Sequence, residues 1–218
     1  SSAASDVYKR QIYKPLFDKS LIRMHEPGSP FKLLVALAAL QEGKISKTDN
    51  VYCNNKYVYG SKPISMKCHC GGGLKNLYSA ISNSCNSYFA VAFRKTINKY
   101  DDSKEAMDIW SDHIKSFGLG KFLGNDLSVG KKGNIPNSEF YNNWYPDFDW
   151  GATTILSNAI GQGEILVTPI QLANMTCAIA NKGFYYTPHI IKSIKAKSID
   201  KKFKKKISTT INLSLIHI

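Results

Sequence analysis

The chain has 218 residues, 43% apolar and 21% charged, an ordinary globular balance and enough for one domain with a sizeable core. No run reaches the ~20 apolar residues that cross a bilayer, and no secretory signal stands at the start. The net charge of +13 favours anionic partners, yet no aromatic RNA-binding pattern, zinc-finger spacing or GXXG clamp accompanies it, so nucleic acid is not expected.

In chain order, residues 1–11 and 213–218 do not continue the patterns beside them. They read as foreign ends around a native domain at 12–212. Pro27-Gly28 makes a turn, and Ser29 and Pro30 open a helix to Glu42, since Ser is a favoured cap and Pro is tolerated in a first turn. After Lys32 that helix is apolar nearly all round, which predicts burial in a core. Residues 44–75 read as loop with extended pieces at 51–52 and 57–59, and Gly71-Gly72-Gly73 as a flexible break. Helices are expected at 74–82, 87–98, 103–117 and 170–181, the third of them amphipathic. Residues 118–150 read as a long Gly/Pro/Asn-rich loop, and extended segments are expected at 184–186 and 189–194. From Lys192 to Lys206, eight lysines stand against one Asp200, which reads as a solvated strand or tail.

Ser29-Pro30-Phe31-Lys32 is an S-x-x-K tetrad at a helix start. Residues i and i+3 share a helix face. A serine hydroxyl needs a neighbour to take its proton, and a lysine can do so once burial disfavours its ammonium. The competing reading is a plain helix cap. Ser84-Cys85-Asn86 can place a hydroxyl and an amide in a cleft, or serve only as a capping cluster.

Five cysteines are present, and four fall together: Cys53, Cys68, Cys70 and Cys85, separated by fourteen, one and fourteen residues, with His69 inside the C-H-C triplet. A tetrahedral metal site, free buried thiols and a single disulfide all remain open, because the usual C-x-x-C knuckle is missing. Cys177, among Ala and Ile in an expected helix, reads as a core thiol.

S-x-x-K followed about 55 residues later by S-x-N is the ordered motif pair of the penicillin-recognising serine enzymes. The flanking text adds detail: Pro15-Leu16-Phe17-Asp18, Glu26-Pro27-Gly28-Ser29, Phe117-Gly118-Leu119-Gly120 with Gly124-Asn125-Asp126-Leu127, and Gly161-Gln162-Gly163-Glu164 with Thr168-Pro169-Ile170-Gln171-Leu172-Ala173. Over residues 12–195 the chain resembles class B penicillin-binding proteins. The C-H-C-G-G-G segment and residues 144–163 look most like the elongation-type group, as found in Bacteroidota.

The resemblance implies an α+β fold, with an antiparallel sheet flanked by helices as in serine β-lactamases. It implies Ser29 as nucleophile, Lys32 as base, Ser84 as proton relay and Asn86 as a substrate-amide ligand. Peptidoglycan stem peptides and β-lactams are the implied ligands, a membrane glycan polymerase the implied partner, and the periplasmic face of the inner membrane the implied location. The chemistry needs no cofactor. Enterobacterial members of the group carry a zinc site of Asp, His and Cys ligands in this region, which implies a structural zinc on Cys53, Cys68, Cys85 and Cys70, with His69 as the alternative ligand.

Two departures stand out. Family members usually carry Thr or another small residue where Pro30 stands. The family's third motif, Lys-Thr-Gly, is absent: Lys47-Thr48 continues with Asp49, and Lys95-Thr96 with Ile97. The chain therefore reads as an inactive fragment of an active enzyme. A serine β-lactamase or penicillin sensor is the nearest competing reading, and a non-catalytic basic module for anionic polymers is the competitor from another class.

Overall fold

The computed structural model describes residues 18–60, 64–98, 102–127, 129–193 and 199–213. The expected foreign end 1–11, the approach residues Pro15 to Phe17 and residues 214–218 lie outside them.

A single 3-10 turn, Ser29–Phe31, leads into helix α1, Lys32–Gln41. Every residue from Leu34 to Ala39 is buried, as an all-round apolar helix requires. Helix α2 is Leu77–Ser82 and α3 is Asn86–Ile97. α3 packs on α1 on one side and on a 3-10 turn, Leu156–Ile160, on another. Helix α4, Ser103–Ser116, is capped by Asp102, whose carboxylate accepts from the Lys104 N–H at 2.8 Å. Its Ala106, Met107, Trp110 and Ile114 recur at helical spacing and are buried against α1 and α3. Helices α5, Ser138–Trp144, and α6, Pro169–Ala180, complete the helical layer.

The strands are short. β1 (Val51–Cys53) pairs antiparallel with β4 (Gly73–Lys75), β2 (Lys56–Tyr59) with β3 (Ile64–Lys67), and β5 (Phe184–Tyr185) with β6 (Ile207–Ser208). Among the described residues these are three separate two-stranded ribbons. The last is pinned to the far end of α1: His113 Nε2 meets Glu42 at 2.8 Å, its Nδ1 meets Thr210 at 3.0 Å, and the Asn212 N–H donates to Gln41 at 3.0 Å.

Several sequence expectations are corrected. The helix expected over 74–82 begins at Leu77, because Asn76 caps it and Leu74 belongs to β4. The long loop 118–150 contains α5, started by Asn137, whose side chain accepts from the Phe140 N–H, and tied to α4 through Asp108, which accepts from the Ser138 N–H and hydroxyl. Residues 189–193 form no strand, and residue 194 lies outside the described set. Cys177 is exposed, since α6 buries its Gln171, Asn174, Met175 and Ala178 face. Leu213, the residue just past the expected domain 12–212, packs into the core.

Trp110 links this core to the first motif. Its ring lies edge-on to Phe31, 6.0 Å between centroids, and to Phe93 at 5.3 Å. Trp110→Ala is expected to lower unfolding free energy by about 3–5 kcal/mol through the cavity it leaves. Urea unfolding measures this, and a loss under about 0.5 kcal/mol, the range of surface changes, would show that the ring is not a keystone.

Candidate active site

Ser29 is fixed by backbone contacts before any side chain is considered. Gly28 has a φ of +63°, its N–H donates to the Gly161 carbonyl at 2.9 Å, and its own carbonyl accepts from the Phe31 N–H at 3.0 Å. Gly161, with φ +69°, comes so close that an added Cβ would lie 2.5 Å from the Gly28 oxygen. The turn that begins the S-x-x-K tetrad therefore rests on the G-Q-G segment, 132 positions onward in the sequence (161 against 29).

Lys32, the first residue of α1, is 3% exposed. Its Nζ donates to the Ser84 carbonyl at 2.8 Å, the Ser84 hydroxyl at 2.8 Å and the Asn86 Oδ1 at 2.5 Å. Ser84 can offer both oxygens because it sits in the left-handed region, φ +52°, on the turn between α2 and α3. That conformation costs on the order of 1–3 kcal/mol in a residue with a side chain. The Ser84 hydroxyl then donates to Ser29 Oγ at 2.9 Å. The i, i+3 spacing suggested direct contact between Ser29 and Lys32; the observed hydrogen-bonded route runs from Lys32 through Ser84 to Ser29. Burial holds the Lys32 ammonium below the usual lysine range, and negative charge at Cys68 pulls partly against it. A cavity of about 300 Å³ opens here, with Leu33, Ile81 and Phe89 as its apolar wall.

Asn86 is the junction of the site. Besides receiving Lys32, its Nδ2 donates to the Lys67 carbonyl at 2.7 Å, and its backbone N–H donates to Cys68 Sγ at 3.2 Å. Lys67, at the end of β3, is a member of this junction that no sequence signal pointed to, because it takes part through its backbone.

The four clustered cysteines meet behind that junction. Their Sγ atoms all lie within 4.8 Å of one another, with Cys68 and Cys85 at 3.7 Å and Cys70 and Cys53 at 3.5 Å. All four are buried and none is in a disulfide. Tetrahedral zinc with Zn–S bonds of ~2.3 Å needs sulfurs about 3.8 Å apart, so the donor set fits a metal of that kind. Burial alone would raise the Cys68 thiol, but hydrogen bonds at the Ser87 and Cys70 backbone and from the Cys70 and Cys53 thiols outweigh it and bring it to about 6. Burial pushes the Cys70 and Cys85 thiols up. His69 is exposed and stands outside the cluster.

The remaining matched segments act as scaffold. Gln171 accepts from the Thr168 N–H at 2.9 Å and donates to the Lys121 and Lys132 carbonyls at 2.9 Å each, while Asn174 donates to the Phe117 carbonyl at 2.9 Å. The F-G-L-G and T-P-x-Q-x-A segments thereby dock on each other.

The penicillin binding protein transpeptidase domain family matches residues 2–214 of this chain. The chain belongs to that family. Within it, the chain is similar to the peptidoglycan D,D-transpeptidase MrdA of Haemophilus influenzae, 28% identical over 203 residues covering 90% of this chain. It spans only 30% of that relative's length. Among solved structures, this transpeptidase-family chain is similar to Pseudomonas aeruginosa PBP2 in complex with WCK 5153, with 27% identity and a TM-score of 0.81, covering 99% of this chain and 48% of that one. It is also similar to a chain of a peptidoglycan synthase complex in which polymerization and crosslinking are structurally coordinated, with 26% identity and a TM-score of 0.73, covering 91% of this chain and 32% of that one.

Proposed function

We propose that this chain carries the acylating half of a D,D-transpeptidase that cross-links peptidoglycan during cell elongation. The observation that carries the reading is the Lys32–Ser84–Ser29 hydrogen-bonded chain. In the reactive state the hydroxyl hydrogens turn round: Ser29 donates to Ser84 Oγ, and Ser84 donates to a neutral Lys32. Ser29 Oγ attacks the carbonyl of the penultimate D-Ala as its proton passes to Lys32, and terminal D-Ala leaves as an amine that takes the proton back. An amine from a second stem then attacks the ester carbonyl, releases Ser29 and forms the cross-link. Asn86 holds Lys32 in place through its Oδ1, with its Nδ2 anchored on the Lys67 carbonyl, and a substrate amide would meet it at that junction. β-Lactams acylate the same serine.

Two further elements belong to the proposal. Cys53, Cys68, Cys70 and Cys85 hold a structural zinc, which fixes the loop from which Ser84 and Asn86 project. The native protein acts at the periplasmic face of the inner membrane beside a glycan polymerase; among the described residues, no helix is long and apolar enough to cross a membrane.

The test is labelling with a fluorescent penicillin, with the modified residue located by mass spectrometry. Stable label on Ser29 is expected in the native protein that carries this chain. The 218-residue chain alone should label at least about 10²-fold more slowly, the effect of one lost oxyanion donor, because it has no Lys-Thr-Gly triplet. Rapid turnover of the label would point instead to a β-lactamase, and absence of label in both proteins would sink the catalytic reading.

A further inference from the structure

The β2–β3 ribbon carries a charge arrangement that folding does not explain. Its register sets Lys56 directly opposite Lys67 and Val58 opposite Ser65. Tyr57, Tyr59 and Met66 alternate with them and pack against the core. Lys56 and Lys67 thus share the outer face, where directly opposed side chains stand about 5 Å apart and like charges repel. Both lysines are exposed, and among the described residues neither makes an ion pair. They line a groove of about 560 Å³ together with Asn55, Ser65 and His69, and no acidic residue lines it.

This groove adjoins the catalytic junction. Cys68 forms part of its wall, and the Lys67 carbonyl at its edge receives the Asn86 amide that also holds Lys32. The lining offers two ammonium groups, a hydroxyl, an amide and an imidazole, a donor set matched to a carboxylate.

We propose that the groove is a subsite for a free carboxylate of the peptidoglycan stem peptide, gripped by Lys56 and Lys67, with Ser65 and His69 as further donors. This rests on the transpeptidase reading above, because that reading supplies the anionic peptide. The repulsion between the two lysines is then the cost of a site that closes on an anion. A competing role for the lysines, offsetting thiolate charge behind Cys68, is separable by experiment.

The probes are a stem tetrapeptide with free carboxylates and its amidated twin, titrated into the 218-residue chain and followed by amide chemical shifts. The free form is expected to bind more tightly than the twin and to move the Lys56, Ser65, Lys67 and His69 signals. Joint Lys56→Gln and Lys67→Gln replacement should weaken the free form by about tenfold and leave the twin unchanged. Lys67→Arg should retain binding, and Lys56→Gln alone should raise Tm by relieving the repulsion. Equal binding of the two probes, or an unchanged free form in the double variant, overturns the proposal. Loss of zinc in the double variant without loss of peptide binding assigns the lysines to the metal centre and also overturns it. The readings fail separately. An unlabelled Ser29 with carboxylate binding intact removes the catalytic proposal alone; normal penicillin labelling with no carboxylate preference removes the groove alone.

Discussion

Lys32→Arg is expected to slow β-lactam acylation of Ser29 by about 10³-fold, the range of a lost general base, even though the charge is kept. Arginine stays protonated at any working pH and cannot receive the Ser29 proton through Ser84. In the wild type the acylation rate should rise with pH through the Lys32 pKa, which burial places below the ordinary 10.5. The same shift sets a stability trend. Between the folded and unfolded pKa values the unfolded chain binds more protons, so the cost of burying Lys32 is full below the folded pKa and fades as pH rises toward 10.5. Single-turnover labelling across pH, read by mass spectrometry in the native protein, checks the rate statement, and urea unfolding across the same pH range checks the stability trend. A Lys32→Arg variant that labels at the wild-type rate would remove Lys32 as the base.

Cys85→Ser is expected to abolish the proposed zinc site and loosen the loop between α2 and α3. Cys85 occupies the residue before α3 without a side-chain capping bond, its Sγ stands 3.7 Å from that of Cys68, and it lies between Ser84 and Asn86, the two residues that hold Lys32. A ligand that binds only the folded state stabilises it by about 4 kcal/mol when free at a thousandfold its Kd, so the loss of stability should be of that order. Elemental analysis of protein purified without chelators should find zinc in the wild type and almost none in the variant. Thermal unfolding with and without chelator should separate the wild type while leaving the variant unmoved. Wild-type protein that contains no zinc, or that ignores the chelator, would sink the metal assignment.

The sequence made some elements plain and hid others for physical reasons. α1 was readable because an apolar run has to be buried whatever surrounds it. α4 was readable from one face of Ala106, Met107, Trp110 and Ile114. α6 was readable from Thr168-Pro169, and its Gln171 completes the capping box. α5 was hidden because its seven residues include two asparagines and follow a Gly/Asn/Pro stretch; what stabilises it is Asp108 on another helix. One strand of each ribbon was readable, at 51–52, 57–59 and 184–186, while the partners β4, β3 and β6 were hidden because strands of two to four residues carry too little alternation to read, and pairing is a tertiary matter.

The site divides in the same way. The residue types at Ser29, Lys32, Ser84 and Asn86 were visible from spacing. That Ser84 adopts φ +52° and stands between the serine and the lysine follows from the α2–α3 turn, which no spacing rule encodes. The symmetric spacing of the cysteines anticipated that they would gather, while the choice of Cys70 over His69 depends on which way each side chain leaves the loop.

If the proposed transpeptidase role holds, the close approach of Gly161 to Gly28 bears on how the site can drift under antibiotic selection. Any side chain at 161 would need its first carbon 2.5 Å from the Gly28 oxygen and 2.6 Å from the Phe31 Cβ, both shorter than real contacts allow. Any replacement there forces either the Gly28–Phe31 turn that carries Ser29 or the Gly161 segment itself to shift. The cavity wall offers a gentler route: on the proposed reading, replacements at Leu33 or Ile81, whose side chains line the cavity, change its shape and leave the backbone beneath Ser29 alone.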